Sequence, residues 1–537
     1  MRGIYDGIIL GTGHNALVLH AYLARCGLRV LALDRAKAAG GGLVTQENER
    51  HPGFLHNTHS FFHRAITATP WYLDLELERH GAAYLEPELN VALILRDGRS
   101  IEWWADQDRT VDSFAPFSKQ DAKTIKRWVE DFKPIVEQIL IPEAQAPPLP
   151  PDRRRELLSR SKLGRKLLEV SRLSPLEFVQ QEFESDVVQA GLLFFNGLRE
   201  IDLRLPGFGH SIPALLARKQ KAQMCRGGSA KLARALISDI REHSGEIRTG
   251  IELRSILVRG GKATGVELAS GEQIEAKAFV ASGLNPQQTF LELVHGDHLP
   301  SQVKQQAASF QYNLLAPLFA LNLALHEAPR YAAAEQRPEL NKAFMIILGL
   351  EGTKQFHDIV AAHDRGEVPP TIMWGATPTI FDPEQAPAGK HTAFMWEKLP
   401  YALHGDARNW DQYKDPHGAE MLTLWSRFAP NLRNGSVIDS FTRSPLDTER
   451  SLPNMRRGDL LVGAFANGQI GYHRPFPGAG QYRTPLPGLY LCGGSTHPGG
   501  NITGLCGYNA ARTIVADLGL PVWWNPPEIE STLESLT

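Results

Sequence analysis

The chain has 537 residues, 42% of them hydrophobic and 22% charged, with a formal net charge of −2. That length exceeds what one hydrophobic core supports, so lobes sharing cores are expected. The near-neutral balance excludes a nucleic-acid partner held by bulk charge. The longest apolar run, residues 314–325, is too short to span a bilayer and contains Asn322. Met1-Arg2-Gly3 leads straight toward the first strand with no apolar leader, so a cytoplasmic location is expected, with peripheral membrane contact at most.

Ile8-Ile9-Leu10 reads as a buried strand, and Gly11-Thr12-Gly13-His14-Asn15-Ala16 turns from it into a helix that ends near Arg25. A second strand, residues 29–33, ends in Asp34 at the spacing a dinucleotide fingerprint requires. Gly11 permits the turn, Gly13 lets a pyrophosphate approach, and Ala16 stands where close helix–strand packing needs a small residue. The helix N-terminus then offers free amides to phosphates, and Asp34 accepts hydrogen bonds from ribose hydroxyls. Arg35, Gly41, Gly42 and Leu43 follow, in a glycine-rich stretch that lets backbone pass close to a ligand.

His51, His56, His59 and His63 crowd one short segment, but no standard zinc spacing links them, so no metal is expected. Residues 90–95 and 100–104 around Asp97-Gly98 read as a hairpin. Residues 147–151 form a stiff proline-rich spacer. A basic stretch, residues 152–173, follows; a lipid-facing helix and a solvated helix packed on its lobe both fit it. Arg226-Gly227-Gly228-Ser229 precedes a helix over residues 230–243, and three strands are expected over 246–257, 263–268 and 273–281, then another over 318–325.

Near the far end, residues 489–491 read as a strand, residues 492–503 as a glycine-rich turn, and a helix begins near Gly504. One such unit at each end suggests a dinucleotide bound between sequence-distant pieces, and hence a flavoenzyme. The four cysteines, Cys26, Cys225, Cys492 and Cys506, form no Cys-x-x-Cys pair, which argues against a redox-active dithiol. Trp523-Trp524 covers the core or meets a partner or lipid.

Arg474-Pro475-Phe476-Pro477, Tyr482-Arg483-Thr484-Pro485, Thr496-His497-Pro498-Gly499-Gly500 and Gly507-Tyr508-Asn509-Ala510-Ala511-Arg512, added to the N-terminal motifs, carry a family likeness. The chain resembles the phytoene desaturase family of FAD enzymes, near the desaturase-type β-carotene ketolases and the pyridine nucleotide-disulfide oxidoreductase domain-containing proteins. The resemblance implies an α/β fold in which a Rossmann-like FAD-binding lobe (1–75, 221–300, 441–520) interleaves with an α+β substrate lobe. That lobe (76–220, 301–440) would be helical near 152–200, and 521–537 would form a tail. It also implies a long apolar tunnel, Ile251 near the adenine, and Gly494, Gly499, Gly500, Asn501 and Ile502 along the flavin ring. His497 is the expected catalytic group near the ring, and Tyr472, His473 and Arg474 are candidates on the substrate side. The expected activity is hydride transfer from a largely apolar substrate to FAD, with oxygen or a quinone taking the electrons onward. A flavin amine oxidase, a redox-neutral flavin isomerase and a non-catalytic flavin-binding scaffold stay open.

Overall fold

The computed structural model describes residues 4–196, 201–218, 222–313, 315–433 and 435–536. Tyr5–Leu10 (β1), His14–Arg25 (α1) and Val30–Asp34 (β2) form the N-terminal unit. Ile8, Ile9, Leu10, Val30, Leu31 and Leu33 are buried, as strands covered on both faces must be. The sheet runs in the order Glu246–Thr249, β2, β1, Gln273–Ser282, Lys262–Leu268, Leu253–Arg259, and Leu489–Leu491 pairs with Gln273–Ser282. Its centre is parallel and its meander antiparallel. Strands from three distant stretches of chain therefore share one sheet.

One expectation needs correction. Residues 246–257 are not one strand: the chain breaks at Gly250, whose φ is +70°. Glu246–Thr249 pairs with β2, and the Ile251 amide donates to the Asp34 carbonyl at 2.9 Å. The break sets Ile251 beside the end of β2, which an unbroken strand would overshoot.

A second sheet of seven strands is built in the order Val437–Arg443, Leu318–Leu325, His391–Lys398, Met373–Ala376, Met345–Leu348, Leu89–Ile94, Ser100–Trp104. It contains the expected hairpin and the expected strand over 318–325. One face packs on a helical layer that includes Lys119–Ile135, Phe178 and Leu192; the other packs on Trp410–Phe428. The basic stretch is two helices, Pro151–Arg160 and Lys162–Ser171, broken at Ser161, whose hydroxyl caps the second by accepting from the Gly164 amide at 2.9 Å. Leu157, Leu158 and Leu167 are buried in the lobe, so much of the apolar side is core, as in the reading of a solvated helix packed on its lobe. Arg153 reaches Glu530 at 2.6 Å and Glu534 at 2.8 Å, tying these helices to the C-terminal one. Trp523 stacks on Tyr22, and Trp524 is buried, so the pair covers the core. Among the described residues, no helix is long and apolar enough to cross a membrane.

Helix α1 is buried from Asn15 to Ala24, between Ala230–Glu242 and Leu505–Asp517. The crossing with Leu505–Asp517 is close enough that a Cβ on Gly507 would sit 1.9 Å from the Asn15 carbonyl oxygen. Gly507→Ala should therefore destabilise the protein by about 1–3 kcal/mol, the usual cost of overpacking. Calorimetry would register this as a lower melting temperature, and an unchanged melt would show that the two helices can part freely.

Candidate active site

A cavity of about 600 Å³ lies between the two sheets, bordered at one end by the β1–α1 loop and at the other by the second sheet. Gly11, Gly13, His14, Asn15, Ala16, Asp34, Arg35, Gly41, Gly42 and Ile251 border it from the N-terminal and meander segments. Gly494, Gly499, Gly500, Asn501 and Ile502 border it from the C-terminal turn. Leu43 does not: it is buried in the core around α1, because the turn through Gly40 and Gly41 swings it inward.

Two loops meet at the phosphate-binding end. Gly41 has φ +57°, and a Cβ there would lie 2.8 Å from the Gly13 Cα, so only glycine lets the strands of backbone touch. Gly40 donates to the Thr12 carbonyl at 3.0 Å. Asp34 Oδ2 accepts from the Thr12 amide at 2.7 Å and its hydroxyl at 2.6 Å, while Oδ1 accepts from the Ala36 amide at 2.8 Å. The carboxylate thus holds the loop in shape and keeps lone-pair capacity toward the cavity.

The C-terminal turn is fastened from behind. Arg474 is fully buried and donates to the carbonyls of Gly494 (3.0 Å), Gly463 (3.2 Å), Ala464 (2.9 Å) and Gln469 (3.3 Å). Burial lowers its pKa to about 10, which still leaves it charged at neutral pH. Tyr482 donates to the His497 carbonyl at 2.8 Å, and Cys506 Sγ lies 3.2 Å from the Gly499 carbonyl. These contacts explain Arg474, Tyr482 and Cys506 as struts of one turn.

The expected catalytic residues lie elsewhere. His497 does not border the cavity; its Nε2 is 2.8 Å from the Glu143 carbonyl. Burial pushes its pKa down to about 4, so the ring is neutral, with the Nε2 proton donated to that carbonyl. Its peptide unit follows the turn while its ring is turned to the Glu143 carbonyl, away from the cavity lining where a catalytic group is expected. Tyr472 and His473 also border no part of the cavity; their rings pack edge-on at 5.6 Å in the short helical turn Gly471–His473. The nearby Arg474 is the residue that turns inward.

Sequence reasoning missed most of the far end. Phe61, Phe62, Arg64, Leu318, Trp374, Trp396 and Lys398 border it. The histidine cluster disperses: His56 packs on Phe441, His59 borders the cavity, and His63 Nδ1 is 2.9 Å from the Tyr84 hydroxyl. Burial lowers the pKa of His14 to about 4 and of His59 and His63 to about 3, so all three are neutral.

A family model described as flavin containing amine oxidoreductase matches residues 112–325. A subunit of the limonene dehydrogenase of Castellaniella defragrans is 31% identical over 545 residues, covering 97% of this chain and 96% of that protein. The chain belongs to the flavin-containing amine oxidoreductase family. Pyridine nucleotide-disulfide oxidoreductase domain-containing protein 2 of Rattus norvegicus is 29% identical, covering 96% and 94%. A putrescine oxidase structure with bound putrescine superposes with a TM-score of 0.61 at 14% identity, over 96% of this chain and 99% of that one, which shows a shared fold.

The enzyme is an FAD-dependent oxidoreductase, and the residues at the loop end fit that cofactor. No side chain caps the start of α1, so its first amides remain available. A Cβ on Gly13 would meet nothing within 4 Å, which leaves the room a phosphate needs. His14 Nε2 and Asn15 Oδ1 are buried with no protein partner beside that opening.

Two measurements test this site. Asp34→Ala removes the loop's anchor and should lower the flavin retained on purification at least tenfold, the loss of about one charge-assisted hydrogen bond; full occupancy would refute the role. His497→Gln keeps a donor toward Glu143 and removes the titration. The folded pKa lies below the unfolded value near 6.5, so the neutral ring's stabilisation is complete above that pH and is lost as pH falls toward about 4. The variant should flatten the acid side of the stability profile by ~1.4 kcal/mol per pH unit, and an unchanged slope would contradict the burial argument.

Proposed function

We propose that this enzyme dehydrogenates a compact, largely apolar small molecule at a C–H bond. Bound FAD would supply the two-electron acceptor for hydride, with oxygen or a quinone as the external acceptor suited to this chemistry. The α1 N-terminus and Gly13 would hold the pyrophosphate, Asp34 the ribose, Ile251 the adenine, and the turn through Gly494 and Gly499–Ile502 the ring system. The start of Leu505–Asp517, which has no side-chain cap from Gly504, sets positive potential at that turn and favours the negative charge that develops on reduction, while Arg474 holds the turn in shape. A cytoplasmic enzyme with peripheral membrane contact belongs to the same reading.

The observation that carries it is the lining of the far end. Phe61, Phe62, Leu318, Trp374 and Trp396 supply apolar walls, and the charged residues there, Arg64, Arg218 and Lys398, are cations. Among the described residues bordering the cavity, the carboxylates are Asp34, Glu252 and Glu292, all on the dinucleotide side. Among the described residues this lining offers an ammonium no carboxylate partner, so amine oxidation is the less supported reading despite the shared scaffold. The limonene dehydrogenase relative, similar along the whole chain, carries the name of such a compact substrate.

The purified flavoprotein is mixed anaerobically with monocyclic terpenoids, with carotenoid-like polyenes in liposomes, and with a panel of amines. Loss of the oxidised-flavin band with the terpenoids is expected. Bleaching by amines alone would overturn the reading, and bleaching by polyenes alone would keep the dehydrogenation and refute the compact substrate.

A further inference from the structure

Strand alternation determines what the far end of the cavity presents. On His391–Lys398, successive side chains alternate between faces. Phe394 and Trp396 join the core on the helical-layer side, whereas Met395 joins the core on the other side, where Glu397 meets His417 at 2.7 Å. Lys398 falls on the face of Phe394 and Trp396. It is 4% exposed, borders the cavity, donates to the Leu315 carbonyl, and sets its ammonium 5.9 Å from the Trp374 ring centroid.

A lysine is seldom buried this deeply in a wall of aromatic rings, because desolvating an ammonium is costly. An aliphatic residue would line a pocket for a bare hydrocarbon at far lower cost. Arg64, half-buried with its guanidinium 5.6 Å from the Phe62 ring, also borders the cavity and adds a second positive charge to its wall. Ser60, next to Phe61 in the chain, also borders the cavity, and its buried Oγ has no hydrogen-bond partner in the protein. A deeply buried ammonium on the cavity wall, with a second cation and an orphaned hydroxyl elsewhere along it, suits a substrate that carries an oxygen acceptor.

We propose that Lys398 binds an oxygen of the substrate, so that the enzyme's substrate is a compact apolar skeleton bearing a carboxylate or carbonyl group rather than a plain hydrocarbon. This rests on the dehydrogenation reading above and narrows its substrate. Lys398 acts by positioning: an ammonium donating to the substrate oxygen fixes which C–H bond is presented for oxidation. Arg64 strengthens the preference for an acid over an alcohol.

The test uses the flavin-loaded full chain and a matched series on one terpene skeleton: the hydrocarbon, its alcohol, its aldehyde and its carboxylic acid. Binding is read from the perturbation of the oxidised-flavin spectrum, and turnover separately from anaerobic bleaching. The wild type should bind the acid and the aldehyde about tenfold or more tightly than the hydrocarbon, the size of one charge-assisted hydrogen bond. In Lys398→Met, which matches the length of the stem without the charge, that ratio should fall to about one. Equal affinity across the series in the wild type overturns the proposal whatever the variant does, as does a ratio that survives in Lys398→Met. Should Lys398→Met lose its flavin, Lys398→Gln takes its place. A hydrocarbon bleached as readily as its acid would leave dehydrogenation standing and the oxygen site refuted. Bleaching by amines with no response to any terpene would refute both.

Discussion

The crossing of α1 with Leu505–Asp517 is the constraint on which the rest of the structure depends. Gly507 has no Cβ to hold the two helices apart, so the Asn15 carbonyl lies directly against it. That contact joins the first and last units of a long chain, with the uncapped helix starts at Gly13 and Gly504 serving one cavity. Two sets of free amides and two helix dipoles then act on the same ligand. The parallel pairing of Leu489–Leu491 with Gln273–Ser282, and of that strand with β1, keeps the strand ends in register behind them. A cofactor site assembled this way needs no single segment to hold the whole dinucleotide.

Arg474 illustrates how a buried charge is accommodated. A guanidinium buried among carbonyls carries a desolvation penalty that a surface arginine avoids. It recovers interaction by charge-assisted bonds to four carbonyls, including that of Gly494 in the turn. Asp459, also fully buried, is held by the amides of Asn313, Leu461 and Gly463 and balances the charge at longer range. Gly463 is shared, its amide on the carboxylate and its carbonyl on the guanidinium. The turn is therefore shaped by a buried electrostatic frame.

The parts legible in the sequence are those whose physics is local. Gly11, Gly13 and Asp34 act within one βαβ unit, so their spacing alone announces a loop that can hold phosphate. Residues 318–325 are recognisable as a strand because an apolar run of that length fits a doubly covered sheet. Trp410–Phe428 is not recognisable as a helix, because Pro416 and Gly418 read as breakers. The helix tolerates both, and Gly418 is needed where a Cβ would come 2.4 Å from a methyl of Thr442. His497 is misplaced by sequence reasoning for a related reason. Residue type places an imidazole in the turn but not the side it faces, and the Glu143 carbonyl that captures it is 354 positions away.

Lys398 is hidden from the sequence for a more general reason. Trp396-Glu397-Lys398 looks like a polar strand end until the face of each residue is known. Once the sheet is built, Glu397 turns to His417 in one core while Lys398 stays with the tryptophans in the other. The fold is shared with a putrescine oxidase, yet among the described residues the second-sheet side of the cavity carries lysine and aromatic side chains and no carboxylate. The β1–α1 loop and the C-terminal turn border one part of the cavity, and a few side chains on strands of the second sheet border another. Because the two sets of residues sit on different sheets, the chemistry of the cofactor and the polarity of the substrate can change independently, and a fold alone does not assign the reaction.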